Sequence, residues 1–305
     1  MKYQFIFILT ILVTQSAYAQ LGIGTATPHA SAKLDVSSTS KGFLPPRMTD
    51  AQKTAITSPA AGLTLWCTNC GSTGEMQVYN GSSWTNMAGG VASPAFVCGT
   101  STVTFTYNGT SVTYGTVSST GSKCWLDRNL GATQVATSTS DAASYGDLFQ
   151  WGRGADGHQI STSTTTTSLS TTDAPGNALF IKVLSTNPPN DWRNPQNNNL
   201  WQGINGINNP CPSGYRLPTE AEWNAERLSW ASQNAAGAFA SELKLTTPGY
   251  RRFNTGVLEL IGVNGYYWTS TVSGNLSRYM GISSASVGIF NHHRAFGFSV
   301  RCIKN

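Results

Sequence analysis

The residues with the most available chemistry are six cysteines: Cys67, Cys70, Cys98, Cys124, Cys211 and Cys302. Thiolates at Cys-x-x-Cys spacing, as in Cys67-Thr-Asn-Cys70, hold zinc or cycle as a redox pair. Zinc needs two further ligands, and no second Cys-x-x-Cys or nearby His supplies them. A redox motif opens a helix, whereas Leu63-Thr-Leu-Trp66 just before this one reads as a strand. No metal is therefore expected, and an even number of cysteines points to disulfides if the chain meets an oxidising compartment. Several pairings are open. The arrangement expected here joins nearest partners, 67–70, 98–124 and 211–302, the last closing a long loop for ~4–5 kcal/mol of stability.

The other reactive side chains form no catalytic pattern. There is no His-Glu-x-x-His, no Gly-x-Ser-x-Gly and no phosphate-cradling glycine loop between a strand and a helix. His29, His158, His292 and His293 are the imidazoles, and the adjacent pair cannot put both rings on one face of a strand. Glycoside hydrolysis needs two facing carboxylates, and Asp147, Asp156, Asp191, Glu220, Glu222 and Glu259 are available without a spacing that pairs any two. A non-enzymatic protein is expected, with a glycan-active hydrolase as the remote alternative.

The compartment is read from the first twenty residues. Lys2 gives a positive start, Phe5 to Val13 an apolar run too short to span a bilayer, and Ala17-Tyr18-Ala19 a cleavage site. Residues 1–19 are thus expected to be a signal peptide removed after Ala19, leaving Gln20 first and the product secreted or on the cell surface. Charged residues make up 11% of the chain, with 19 Lys+Arg against 14 Asp+Glu. That excess is too small and scattered for a nucleic-acid surface, and the low charge argues against coiled coils. No later stretch is apolar enough for a stable membrane span.

The elements that position these residues are mostly strands. Leu63–Trp66 and Met76–Tyr79 are predicted strands, with Asn80-Gly81 as a hairpin turn toward Trp84 and Gly89-Gly90 as a linker. Val103, Phe105 and Tyr107 alternate ahead of a second turn, Asn108-Gly109. Residues 161–172 are nearly pure Ser/Thr and predict an exposed loop. Thr219 and Glu222 form a capping box for a helix to Leu228, and strands return over 266–268, 278–280 and 296–303. Trp125, Trp151, Trp192, Trp201, Trp223, Trp230 and Trp268 are expected in the core, with an exposed indole stacking on a sugar as the alternative. Arg216, Arg294 and Arg301 are expected to tie loops together through carbonyls or the scarce carboxylates.

Several motifs carry a resemblance. Cys124-Trp-Leu-Asp-Arg-Asn-Leu-Gly-Ala132, Tyr145-Gly-Asp-Leu-Phe-Gln-Trp-Gly-Arg153, Asn209-Pro-Cys-Pro-Ser-Gly-Tyr-Arg-Leu-Pro-Thr219, Gly265-Tyr-Tyr-Trp-Thr-Ser270 and Arg294-Ala-Phe-Gly-Phe-Ser-Val-Arg-Cys302 resemble, in order, the FISUMP family, the major paralogous domain of secreted bacterial proteins. The resemblance implies an α+β, mostly β head related to the C-type-lectin-like and formylglycine-generating-enzyme folds, with long loops, one or two helices and a late disulfide. Formylglycine formation uses two closely spaced late cysteines, whereas only Cys302 follows Cys211 here, so that oxidase activity is not implied. Leu21-Gly-Ile-Gly-Thr-Ala-Thr-Pro28 through Gly42-Phe-Leu-Pro-Pro-Arg47 resembles a module of surface and tail-fibre-like proteins. The expected organisation is a leader (1–19), a small β-rich Gly/Thr-rich stalk or assembly module (20–90) and the C-type-lectin-like head (91–305).

Residues 275–293 are polar, aromatic and rich in Ser and Gly, the composition of an adaptable recognition surface. In C-type-lectin-like domains the corresponding late segment contacts ligand, which implies Asn275, Arg278, Tyr279, Phe290, Asn291, His292 and His293 as ligand-binding candidates. The calcium motifs Glu-Pro-Asn and Trp-Asn-Asp of sugar-binding lectins are absent. No cofactor is expected, although a calcium ion is possible without a motif. The functional expectation is an adhesin-like module that recognises an extracellular glycan, polymer or surface protein. The alternative is a structural component of a surface fibre, a homo-oligomer joined through the N-terminal module.

Overall fold

The computed structural model describes residues 20–184 and 190–305, and the signal peptide expected over 1–19 lies outside them. The chain is mostly β, with three α-helices among the described residues. It opens on a parallel ribbon in which Leu21–Ile23 pairs with Leu34–Val36. A four-stranded sheet follows in the order Arg47–Met48, Thr64–Cys67, Glu75–Tyr79 and Trp84–Asn86, its last two strands joined through Asn80-Gly81. Gly89-Gly90 is a turn within this unit rather than a linker: the Asn86 amide donates to the Gly90 carbonyl, and Val91 and Ala95 bridge to Thr85 and Cys70. The hairpin Val103–Tyr107 with Thr110–Tyr114 turns through Asn108 (φ 48°) and Gly109 (φ 77°), the left-handed pair that such a turn requires.

Among the described residues, three further sheets of three or four strands build the C-terminal part. One orders Tyr215–Arg216, Ile303–Lys304, Lys123–Leu126 and Thr116–Ser119. A second orders Phe149–Gln150, Gly297–Phe298, Tyr250–Arg251 and Leu258–Glu259, and the third is the antiparallel meander Gly265–Ser273, Leu276–Ile282 and Val287–His292. The three cysteine pairs join as expected: Cys67–Cys70, Cys98–Cys124 and Cys211–Cys302. Residues 161–172 are mostly exposed but not wholly a loop, since Thr165–Thr166 pairs in parallel with Phe180–Ile181 and Ser170 is buried. Arg251 holds this stretch by donating to Ser163 Oγ and to the Ile160 carbonyl.

All seven tryptophans expected in the core are buried there, so none offers an exposed face to a sugar. Each indole N–H is also satisfied: Trp151 donates to the Thr269 carbonyl at 2.9 Å, Trp268 to Phe149 at 2.7 Å and Trp192 to Trp151 at 2.7 Å, while Trp125, Trp201, Trp223 and Trp230 find partners likewise. Arginines do the corresponding work for loops. Arg153, Arg251, Arg294 and Arg301 are almost wholly buried and donate to loop carbonyls, as expected for the last two. A chain with few helices leaves many carbonyls without ladder partners, and a five-donor guanidinium satisfies several at once.

The helix Glu220–Leu228 has the expected capping box, the Thr219 side chain accepting from the Glu222 amide while the Glu222 carboxylate accepts from the Thr219 amide. Arg216 adds two bonds to that carboxylate, at 2.7 and 2.8 Å. Burial alone would raise Glu222, but the hydrogen bonds from Arg216 and Thr219 outweigh it and hold the carboxyl at about 2, against an ordinary 4.5. A depressed carboxyl stabilises the fold above its unfolded value and loses that contribution as pH falls through the folded one. Glu222→Gln is therefore expected to lower stability at pH 7 by ~1–2 kcal/mol and to flatten the acid limb of melting temperature against pH between about 4.5 and 2. An acid limb as steep as the parent's, measured by calorimetry, would contradict this.

The sequence pattern did not predict the helices Asp50–Thr54 and Ala235–Ala240. They are too short to show a period, although Thr49-x-x-Gln52 is itself a capping box.

Candidate functional site

The seven candidates of the late segment lie on or beside the three-stranded meander. Its middle and last strands pair Ser277 with His292, Arg278 with Asn291, Tyr279 with Phe290 and Gly281 with Gly288. Because side chains alternate along each strand, these pairs divide between two faces. Tyr279, Phe290 and His292 share one face with Tyr266 and Trp268 of the first strand. Arg278 and Asn291 share the opposite face, where Arg278 meets Glu220 of the helix at 3.2 Å. Asn275 is exposed in the turn between the first two strands, and its carbonyl accepts from Gln196. The seven residues do not form one patch: a polar pair at the helix is separated by the sheet from an aromatic group.

The aromatic group has the more defined geometry. Phe290 is 50% exposed, whereas Tyr279 is buried, its ring between Phe290 (5.8 Å) and Phe298 (4.9 Å). Glycines beneath make room for the phenyl ring, and a Cβ on Gly288 would come within 2.8 Å of it. A hollow of about 170 Å³ results, lined by Asn264, Tyr266, Tyr279, Ser283, Ser286 and Phe290. Burial pushes the Tyr279 phenol up to about 12, so it stays a neutral donor across the physiological range. His292 stacks on Phe296 at 3.9 Å, and burial, aided by His293 and Arg252, drives its pKa down to about 4. His293 turns to Phe253 instead, at 5.7 Å. The hollow thus presents ring faces and neutral hydroxyls, a surface suited to stacking a ring rather than to pairing with a charge.

The potential hydrolase carboxylates each serve a partner of their own. Asp147 accepts from the Tyr107 hydroxyl at 2.6 Å, and Asp156 binds Arg153 at 2.7 Å and His158 at 2.6 Å. Asp191 accepts from Gln196, Glu220 meets Arg278, Glu222 is held by Arg216, and Glu259 accepts from Tyr250 and Arg252. The Asp50 carboxylate lies beside Cys67 and Cys70, whose sulfurs are bonded to each other.

A second surface lies at the N-terminal end. Leu21, Ile23, Leu34 and Val36 of the parallel ribbon are 59%, 52%, 49% and 42% exposed, and Phe43 and Leu44 are both 66% exposed. Leu21, Ile23, Phe43 and Leu44 belong to the stretches that carry the tail-fibre-like resemblance, but no exposed apolar face was expected of them. The signal present was the i, i+2 spacing of Leu21-Gly-Ile23 and Leu34-Asp-Val36.

Residues 22–113 match the family described as a phage tail like trimerisation region. The match runs from the ribbon through the first four-stranded sheet to the hairpin ending at Tyr114, and it agrees with the tail-fibre-like resemblance of residues 21–47. No curated protein and no solved structure matches the chain. Among the described residues no helix is long and apolar enough to cross a membrane.

Proposed function

We propose that this chain is a structural component of a surface fibre, in which the N-terminal region joins three copies and the C-terminal part forms a head carried by that junction. The match of residues 22–113 to a trimerisation region carries the reading. It favours the fibre alternative over the adhesin-like one. Export fits the leader pattern of residues 1–19 and three disulfides, which an oxidising compartment preserves. A FISUMP, C-type-lectin-like head is supported by short strands between long arginine-tied loops and by the late Cys211–Cys302 bond. The reading assigns the head no catalytic step and no cofactor. Light scattering on the oxidised chain from Gln20 onward is expected to give three times the single-chain mass at micromolar concentration, and a single-chain mass would overturn the proposal.

A recognition role for the head is the second reading, favoured by the glycine-floored aromatic hollow with Phe290 half exposed at its rim. Its ligand would be an extracellular glycan or a surface protein. Phe290→Ala is expected to leave the melting temperature unchanged and to abolish capture on glycan and surface-polymer arrays, with calcium or with chelator. Capture by the variant equal to that of the parent would remove the hollow from consideration.

A further inference from the structure

The parallel ribbon at the N-terminal end, Leu21–Ile23 with Leu34–Val36, leaves apolar side chains exposed. Its two faces are unlike. On one, Gly22 lies against Thr25 and Pro28, where a Cβ would come within 2.6 Å of the Thr25 carbonyl oxygen, and Asp35 accepts from the His29 amide at 2.8 Å. That face is covered by the loop that joins the two strands. The other face carries Leu21 opposite Leu34 and Ile23 opposite Val36, four aliphatic side chains each about half exposed. Among the described residues, no hydrophobic cluster includes a residue before Met48, so none of these clusters reaches this face.

Parallel strand pairs are seldom left open to water on a face, and a two-stranded unit has little stability alone. We infer that two further copies of this chain cover the Leu21/Ile23/Leu34/Val36 face, so that three ribbons pack their aliphatic sides together and this arm is the seat of the trimer. The inference rests on the fibre reading, because the matched trimerisation region begins at residue 22, inside the ribbon. The occupant is a copy of the same surface because the face bears no charged side chain and is short and apolar throughout. Such a patch is self-complementary about a symmetry axis and offers a charged partner nothing to pair with. Phe43 and Leu44, further along the same arm, add exposed apolar area before the first sheet begins.

The test uses the oxidised chain from Gln20 onward in three forms: the parent, Ile23→Lys with Val36→Lys, and Met87→Lys with Val91→Lys. The last pair replaces exposed apolar residues on the neighbouring sheet. Sedimentation velocity is expected to show a trimeric parent, a trimeric sheet variant and a ribbon variant whose association requires roughly a hundredfold higher concentration. Near-ultraviolet circular dichroism of the ribbon variant should match the parent, because these side chains touch no core. Leu34→Ser serves as a milder second substitution, expected to weaken association roughly tenfold. A trimeric parent whose ribbon variants associate unchanged would overturn the inference and leave the fibre reading intact. A monomeric parent would overturn both.

Discussion

Replacing Arg301 with leucine is expected to destabilise the protein by about 3–5 kcal/mol, a large share of the stability of an ordinary domain. Arg301 is 2% exposed and has no carboxylate within ion-pair distance among the described residues. Its donors go instead to Asn129 Oδ1 at 3.1 Å and to the carbonyls of Leu126 and Leu243 at 3.2 and 2.9 Å. Burial pushes the guanidinium down to about 10, so it remains charged at neutral pH and its charge is spread over carbonyl dipoles. Leucine would leave those acceptors buried without donors, each costing ~1–3 kcal/mol, and would not fill the volume. Lysine keeps the charge but not the fork of donors, and should recover only part of the loss. Urea unfolding measures both variants. A change below about 1 kcal/mol for Arg301→Leu would mean that the loops do not depend on this residue.

Opening the Cys211–Cys302 bond by Cys211→Ala with Cys302→Ala is expected to cost about as much, ~4–5 kcal/mol, or roughly 10–15 °C in melting temperature. The two cysteines are 91 residues apart, and the loop between them contains the capped helix and the whole three-stranded meander. Closing so long a loop removes more disorder from the unfolded chain than Cys98–Cys124 does at a separation of 26, or Cys67–Cys70 at 3. Alanine is the appropriate replacement because Cys302 is fully buried and serine would add an unpaired hydroxyl. The three double variants should therefore rank in stability loss as 211–302, then 98–124, then 67–70. Any other order in calorimetry would show that native packing, rather than loop closure, sets the contribution of each bond.

What the amino-acid sequence by itself determined is what depends on neighbours along the chain. Asn108-Gly109 makes its turn because two residues in succession must take positive φ, and Asn and Gly do so cheaply. The Thr219 and Glu222 box starts its helix because both partners lie within one turn. The seven tryptophans went inside because their area drives them there, whereas the cysteine pairing, open from sequence, includes a bond across 91 residues that the fold had to bring together.

What the tertiary structure decided is which side of each strand meets water. Alternation puts Arg278 and Tyr279 on opposite faces, but only the docked helix Glu220–Leu228 turns one face into an ion-pair site and leaves the other as the hollow beside Phe290. In the same way, Leu21-Gly-Ile23 and Leu34-Asp-Val36 are unremarkable three-residue stretches until a parallel pairing aligns their aliphatic side chains on one face. The loop between them folds over the other face, so the apolar one is left without cover. Contacts of that kind join residues distant in sequence, and no local pattern specifies which of two equivalent faces they will cover.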